Sequence, residues 1–183
     1  MLTDFQKKKL GRLFTVLDAD HNNQLERADY TAIVSNLAAM HSWQPGSTEY
    51  TQLEELYYSI WDSLKALADQ NNDGSVSQEE FFDFHAQMLS TPELFKQITL
   101  GTVDLLFQAF DRDNSGTLSR DDFRDFFAAY RITDPGAADE AFKRLDVSGD
   151  GQISKSEAVQ RVHEYYFSSD PAAGGNWLFG RYE

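Results

Sequence analysis

Apolar residues recur along the chain at helical spacing, in stretches interrupted by four short polar segments. Phe5, Leu10, Leu13, Phe14 and Leu17 lead into the first segment, and Tyr30, Ile33, Val34, Leu37 and Met40 lead away from it. Leu53, Leu56, Ile60, Trp61 and Leu64 precede the second; Phe81, Phe82, Phe84, His85 and Met88 follow it. Phe95, Ile98, Val103, Leu106, Phe107 and Phe110 approach the third, with Phe123, Phe126, Phe127 and Tyr130 beyond. Phe142 and Leu145 run into the fourth, and Val159, Val162 and Tyr166 lie past it. The pattern predicts helices on both sides of every polar segment. Two helix starts are marked by Pro in the first turn: Ser90-Thr91-Pro92-Glu93, with a hydroxyl cap, and Asp134-Pro135.

The polar segments share one spacing. Asp69-x-Asn71-x-Asp73-Gly74, five further residues and Glu80 match the EF-hand calcium loop at every diagnostic position. Asp18–Asp29, Asp111–Asp122 and Asp146–Glu157 repeat that spacing. Its logic is that of a hard cation: Ca²⁺ takes six to eight oxygens, and a 12-residue loop offers them from positions 1, 3, 5, 7, 9 and 12. Position 7 gives a backbone carbonyl, and position 6 turns sharply at positive φ. Loop one therefore offers Asp18, Asp20, Asn22, Gln24, Glu26 and Asp29; loop two Asp69, Asn71, Asp73, Ser75, Ser77 and Glu80. Loop three offers Asp111, Asp113, Ser115, Thr117, Ser119 and Asp122; loop four Asp146, Ser148, Asp150, Gln152, Ser154 and Glu157. Position 8 is no ligand, yet it is apolar throughout (Leu25, Val76, Leu118, Ile153), as expected where two loops pair.

The loops are not equivalent. Glu80 and Glu157 are long enough to give both carboxylate oxygens to one ion, whereas Asp29 and Asp122 are a methylene shorter. A six-coordinate geometry nearer to Mg²⁺ preference is therefore expected to be more accessible in loops one and three. Asn23 replaces the turn glycine in loop one, and Asn tolerates positive φ next best. Glu26 adds a fourth carboxylate there.

Composition sharpens this. Of the 183 residues, 41% are hydrophobic, enough for one large or two small cores. Net charge is −14, which disfavours nucleic acid or an anionic membrane as a partner. Thirteen of the thirty acidic residues fall at ligating positions, so the acidity is mostly cation site. Four Ca²⁺ would reduce the charge to about −6 and relieve self-repulsion. The absence of cysteine closes disulfide and thiolate chemistry. His21, His41, His85 and His163 are scattered and form no catalytic motif, so no enzyme is expected. The N-terminal stretch has no apolar run after its lysines, and no stretch is long enough to span a bilayer. The expectation is a cytoplasmic monomer without a catalytic cofactor.

Loop starts are separated by 51, 42 and 35 residues, the extra length of the first pair lying at 41–48 around Trp43, Pro45 and Gly46. The expected organisation is a first pair of hands over 1–90, a second over 91–167, and a tail over 168–183. In that tail Asp170-Pro171 and Gly174-Gly175 end the helix, yet Trp177, Leu178 and Phe179 follow. So apolar a tail is expected to fold back onto the core.

The four loops, the long first pair and the closing Asn176-Trp177-Leu178-Phe179-Gly180 resemble the sarcoplasmic calcium-binding proteins and bacterial calerythrins along essentially the whole chain. The resemblance implies an all-α fold, two EF-hand pairs packed face to face in one compact globule, acting as calcium buffer or sensor. Family members with one poor hand usually lose the second or fourth, whereas here those two look best. The same branch holds coelenterazine-binding proteins and photoproteins, making a calcium-triggered carrier of a small organic ligand the alternative. Tyr57 and Trp61 resemble part of that cavity; Val162 and Tyr166 stand where its His and Trp would be. Only Met1, Met40 and Met88 are present, which favours a buffer over a Met-rich opening sensor.

Overall fold

The computed structural model describes residues 1–182; Glu183, the last residue of the expected tail, lies outside the described residues. The described residues form eight α-helices and four two-residue strands, one strand between the two helices of each hand. The first half runs α1 (Asp4–Leu17), β1 (Gln24–Leu25), α2 (Arg27–Met40), α3 (Thr48–Ala68), β2 (Val76–Ser77) and α4 (Gln78–Ser90). The second runs α5 (Pro92–Phe110), β3 (Thr117–Leu118), α6 (Arg120–Ala129), α7 (Ala137–Leu145), β4 (Ile153–Ser154) and α8 (Lys155–Phe167). A 3-10 turn at Gly174–Trp177 follows.

Each half is tied by an antiparallel bridge. Leu25 lies opposite Val76, and Leu118 opposite Ile153. Leu25 and Val76 are wholly buried, so the inward residues of position 8 join loop to loop and loop to core. Helices leave the loops through capping boxes. Ser77, Ser119 and Ser154 accept the N–H of Glu80, Asp122 and Glu157, whose carboxylates accept the serine N–H in return.

The two halves share a construction at the turn between their hands. After α2, the N–H of Ser42 reaches Ala39 O and that of Trp43 reaches Ala38 O; after α6, Arg131 and Ile132 do the same to Ala128 and Phe127. Both are Schellman turns, and Ser42 and Arg131 take the left-handed conformation they require, at φ 58° and 54°. Two helix starts differ from expectation. Thr91 stands at the cap of α5, but its hydroxyl makes none of the capping hydrogen bonds expected there. The helix expected from Asp134-Pro135 begins only at Ala137, because Gly136 first turns the chain at φ 75° and Ala137 N–H closes onto Asp134 O.

The apolar core runs through both halves without interruption. It is rich in aromatic rings: Phe14 meets Phe81, Tyr30 meets Trp61, and Phe123, Phe126 and Phe127 pack together. His85 is 4% exposed, holds Phe81 O at 2.7 Å through Nδ1 and stacks on Tyr166. Burial above all pushes its pKa down to about 4.

The tail lies across α1, α7 and α8. Asn176 is buried and takes a hydrogen bond from Lys9 Nζ at 3.1 Å, while Lys9 Nζ also donates to Ser168 O at 3.0 Å. The ammonium, itself buried, sits 4.7 Å from the Phe5 ring centre and 5.5 Å from that of Tyr165. Gly175 donates to Glu164 Oε2 at 3.0 Å, and Arg12 Nε donates to Phe179 O at 3.1 Å. Gly175 is required by contact: a Cβ there would stand 2.3 Å from Arg161 O and 2.7 Å from Glu164 Cβ.

Candidate metal centres

The four loops share the hydrogen bonds of their first half. The position-1 residue closes the preceding helix: Asp18, Asp69, Asp111 and Asp146 donate N–H to Phe14, Lys65, Phe107 and Phe142 at 2.9–3.0 Å. Its carboxylate then turns into the loop and accepts the N–H of position 6. The distances are 2.9 Å from Asn23, 3.1 Å from Gly74, and 2.9 Å from Gly116 and Gly151. That N–H points inward because position 6 is left-handed, at φ 65°, 94°, 81° and 85° in chain order. Asn23 therefore makes the turn that glycine makes elsewhere.

Two further regularities escaped the sequence reading. Position 4 is also left-handed in every loop, at His21, Asn72, Asn114 and Gly149, with φ between 54° and 74°. Asn and His are enriched among non-glycine residues at positive φ, which is the signal that could have found it. Position 7 does more than offer its carbonyl. Ser75 Oγ donates to Gln24 Oε1 at 3.0 Å, and Thr117 Oγ1 donates to Gln152 Oε1, so the side chains of paired loops meet across each bridge.

Oxygen atoms converge accordingly. Carboxylate oxygens of Asp18, Asp20 and Asp29 lie within 4.8 Å of one another. Asp18 and Asp29 are buried, at 3% and 2% exposure. Burial pushes the Asp29 carboxyl upward, hydrogen bonds from Glu26 and Ala19 N–H pull it back, and Asp20 and Asp18 push it up again. Bringing carboxylates together in this way favours a cation between them. In loop two, Asp69 Oδ1 is buried without a hydrogen-bond partner, an acceptor left for something other than protein. Asp73 is held low by Ser75 N–H, and Glu80 by Ser77 N–H. In loop four, burial pushes Glu157 up, but hydrogen bonds from Ser154 and Ser148 prevail and hold it near 2. Asp73, Glu80 and Glu157 are therefore held in the ionised form at neutral pH. An all-oxygen, carboxylate-rich set of this kind suits Ca²⁺ or Mg²⁺ and no soft metal.

Position 12 separates loop three from the rest. One oxygen of Asp29, Glu80 and Glu157 accepts the position-2 N–H, from Ala19, Gln70 and Val147 at 2.9, 3.1 and 3.0 Å. Arg112 N–H instead closes on Phe110 O, and Asp122 Oδ1 faces the Arg112 guanidinium, 3.9 Å from Nε. Glu26, the extra carboxylate of loop one, is exposed; its N–H holds Asp29 Oδ2 at 2.7 Å.

Comparison with known proteins agrees with this geometry. A family model for the EF-hand domain pair matches residues 66–128 and 102–162, together more than half of the chain. Calerythrin of Saccharopolyspora erythraea is 25% identical over 171 residues, covering 91% of this chain and 95% of the relative. Among solved structures, a sarcoplasmic calcium-binding protein from amphioxus superposes with a TM-score of 0.74 at 18% identity, over 99% of this chain and 100% of the other. The calcium-loaded apo form of the coelenterazine-binding protein from Renilla muelleri gives 0.78 at 20% identity, over 98% and 99%. Paired helix-loop-helix units, the oxygen cradle repeated four times and the matched family model together make this chain a member of the EF-hand family of calcium-binding proteins.

Proposed function

We propose that the protein is a calcium buffer that binds Ca²⁺ at all four hands and stays closed as it fills. The observation that carries the reading is the common cradle: all four position-1 carboxylates are already oriented by the position-6 N–H. Residues at positions 1, 3, 5, 7, 9 and 12 of each loop, from Asp18 to Glu157, are the proposed ligands. The pair over 1–90 and the pair over 91–167 are the binding units, and the tail over 168–183 holds them closed. Asp29 and Asp122, being shorter, leave hands one and three more open to Mg²⁺.

The closed reading follows from what covers the apolar surface. Leu178 is buried, and Phe179 packs on Phe126 and Tyr165, so the tail occupies surface that a target helix would need. The protein is read as an intracellular monomer without catalysis; among the described residues no helix is long and apolar enough to cross a membrane. The organic-ligand alternative is less favoured. Tyr57 is buried with its hydroxyl 3.3 Å from that of Tyr130; the apolar cleft inside the second pair measures about 40 Å³, and a cavity of about 660 Å³ lies beside the tail at Glu140, Arg144 and Trp177, away from Tyr57 and Trp61. A site for an organic molecule takes about 300 Å³ or more.

Calcium titration with a hydrophobic dye present, repeated in millimolar Mg²⁺, tests the reading. Saturation without dye enhancement, and stronger Mg²⁺ competition at hands one and three, are expected. A large dye signal on filling would make the protein an opening sensor instead.

A further inference from the structure

Loop three is touched by the other half of the molecule. Arg112, at its second position, donates from one terminal nitrogen to His41 Nδ1 at 3.0 Å, and its other terminal nitrogen lies 3.3 Å from Asp125 Oδ2. His41 caps α2, in the turn between the first two hands, and its ring packs on Trp43 at 4.8 Å. Its side chain is 8% exposed, and Nε2 stands 3.6 Å from the same Asp125 oxygen. The guanidinium is thus gripped from two sides. So held, it rests 3.9 Å from Asp122 Oδ1, the oxygen that backbone N–H groups hold in the other three loops.

We propose that Arg112 sets the cation affinity of hand three, and that His41 of the opposite EF-hand pair sets where Arg112 stands. A fixed positive charge beside a ligating carboxylate opposes a divalent cation and competes for that carboxylate. Solvent reaches about half of the arginine side chain, so the effect is screened and moderate. His41 matters because a free arginine would swing into solvent, whereas a pinned one keeps its charge at the loop. The inference rests on the reading of hand three as a calcium site.

The test is a calcium titration followed by the backbone amide signals of Asn23, Gly74, Gly116 and Gly151, one per hand. R112Q should tighten hand three by about three- to tenfold, a gain that shrinks at high salt, with the other hands unchanged. R112K keeps the charge but not the fork, so it should fall between, and it serves as the readout if R112Q fails to fold. H41F, which retains an aromatic ring against Trp43, should give part of the gain, and R112Q/H41F no more than R112Q alone. In the calcium-free protein, H41F should also shift the Arg112 Nε–H signal. Unchanged or weaker binding at hand three in R112Q, or additive single and double variants, would overturn the proposal while leaving the calcium site standing. A Gly116 signal silent to calcium in wild type and R112Q alike would remove the site reading, and the proposal with it.

Discussion

Glu80 and Glu157 each serve two structures at once. Each is the third residue of a helix, accepting the N–H of its capping serine, and each closes an oxygen cradle. Glu80 accepts from Gln70, Asn71 and Ser77 through both carboxylate oxygens. An amide has one acceptor oxygen, so Glu80→Gln must turn an NH₂ toward an N–H donor. That variant should lose one bound Ca²⁺ and also cost the calcium-free protein about 1–2 kcal/mol in urea unfolding. Unaltered stoichiometry would show that Glu80 is no ligand. His85 makes a pH prediction at the same scale. Its pKa is about 4 in the fold against about 6.5 unfolded, so the unfolded chain takes up the proton first as pH falls. The stability that its neutral form contributes is complete above pH 6.5 and is lost between there and pH 4. Stability of calcium-free wild type relative to His85→Leu should fall by about 2 kcal/mol from pH 7 to pH 5. A difference that does not change with pH would mean the ring is not held neutral.

At the scale of elements, the helices and loops were legible because each carries a local signal. Phe81, Phe84, His85 and Met88 mark one face of α4 by spacing alone, and Asp69 to Glu80 mark a loop by oxygen order. The start of α7 was misplaced because Pro135 signals a first helical turn, while the positive φ of Gly136 interposes a left-handed residue before Ala137. Of what joins the elements, the pairing of loops through position 8 and the return of the tail were legible, but the individual polar contacts were not. Lys9 to Asn176, Arg112 to His41, and Arg131 to Ala19 O span 167, 71 and 112 residues, and no periodicity encodes a pairing at such distance. The buried lysine is the clearest case: in sequence it is the third of three lysines, and only the fold supplies its carbonyl, amide and ring partners. The tail should accordingly be undocked by Gly175→Ala, whose new Cβ has no room against Arg161 O. Limited proteolysis near residue 170 and dye binding should both rise in that variant, with a lower melting temperature. Asn176→Ala, which strips an acceptor from a buried ammonium, should cost about 1.5–3 kcal/mol. A tail equally protease-sensitive in wild type and Gly175→Ala would contradict the docked arrangement.

For the molecule as a whole, charge and packing oppose one another until cations bind. The continuous core joins both halves, and Asn36 Nδ2 on α2 reaches Ala129 O on α6 at 3.1 Å. Against that stands a net charge of −14, with nearly half of the acidic residues set in four small loops. Cations that bind only the folded form therefore stabilise it by mass action and by relief of repulsion together. The most direct measurement is the number of Ca²⁺ ions bound per chain at saturation, by equilibrium dialysis. Four cradles of one design predict more than two, approaching four; two or fewer would contradict the account.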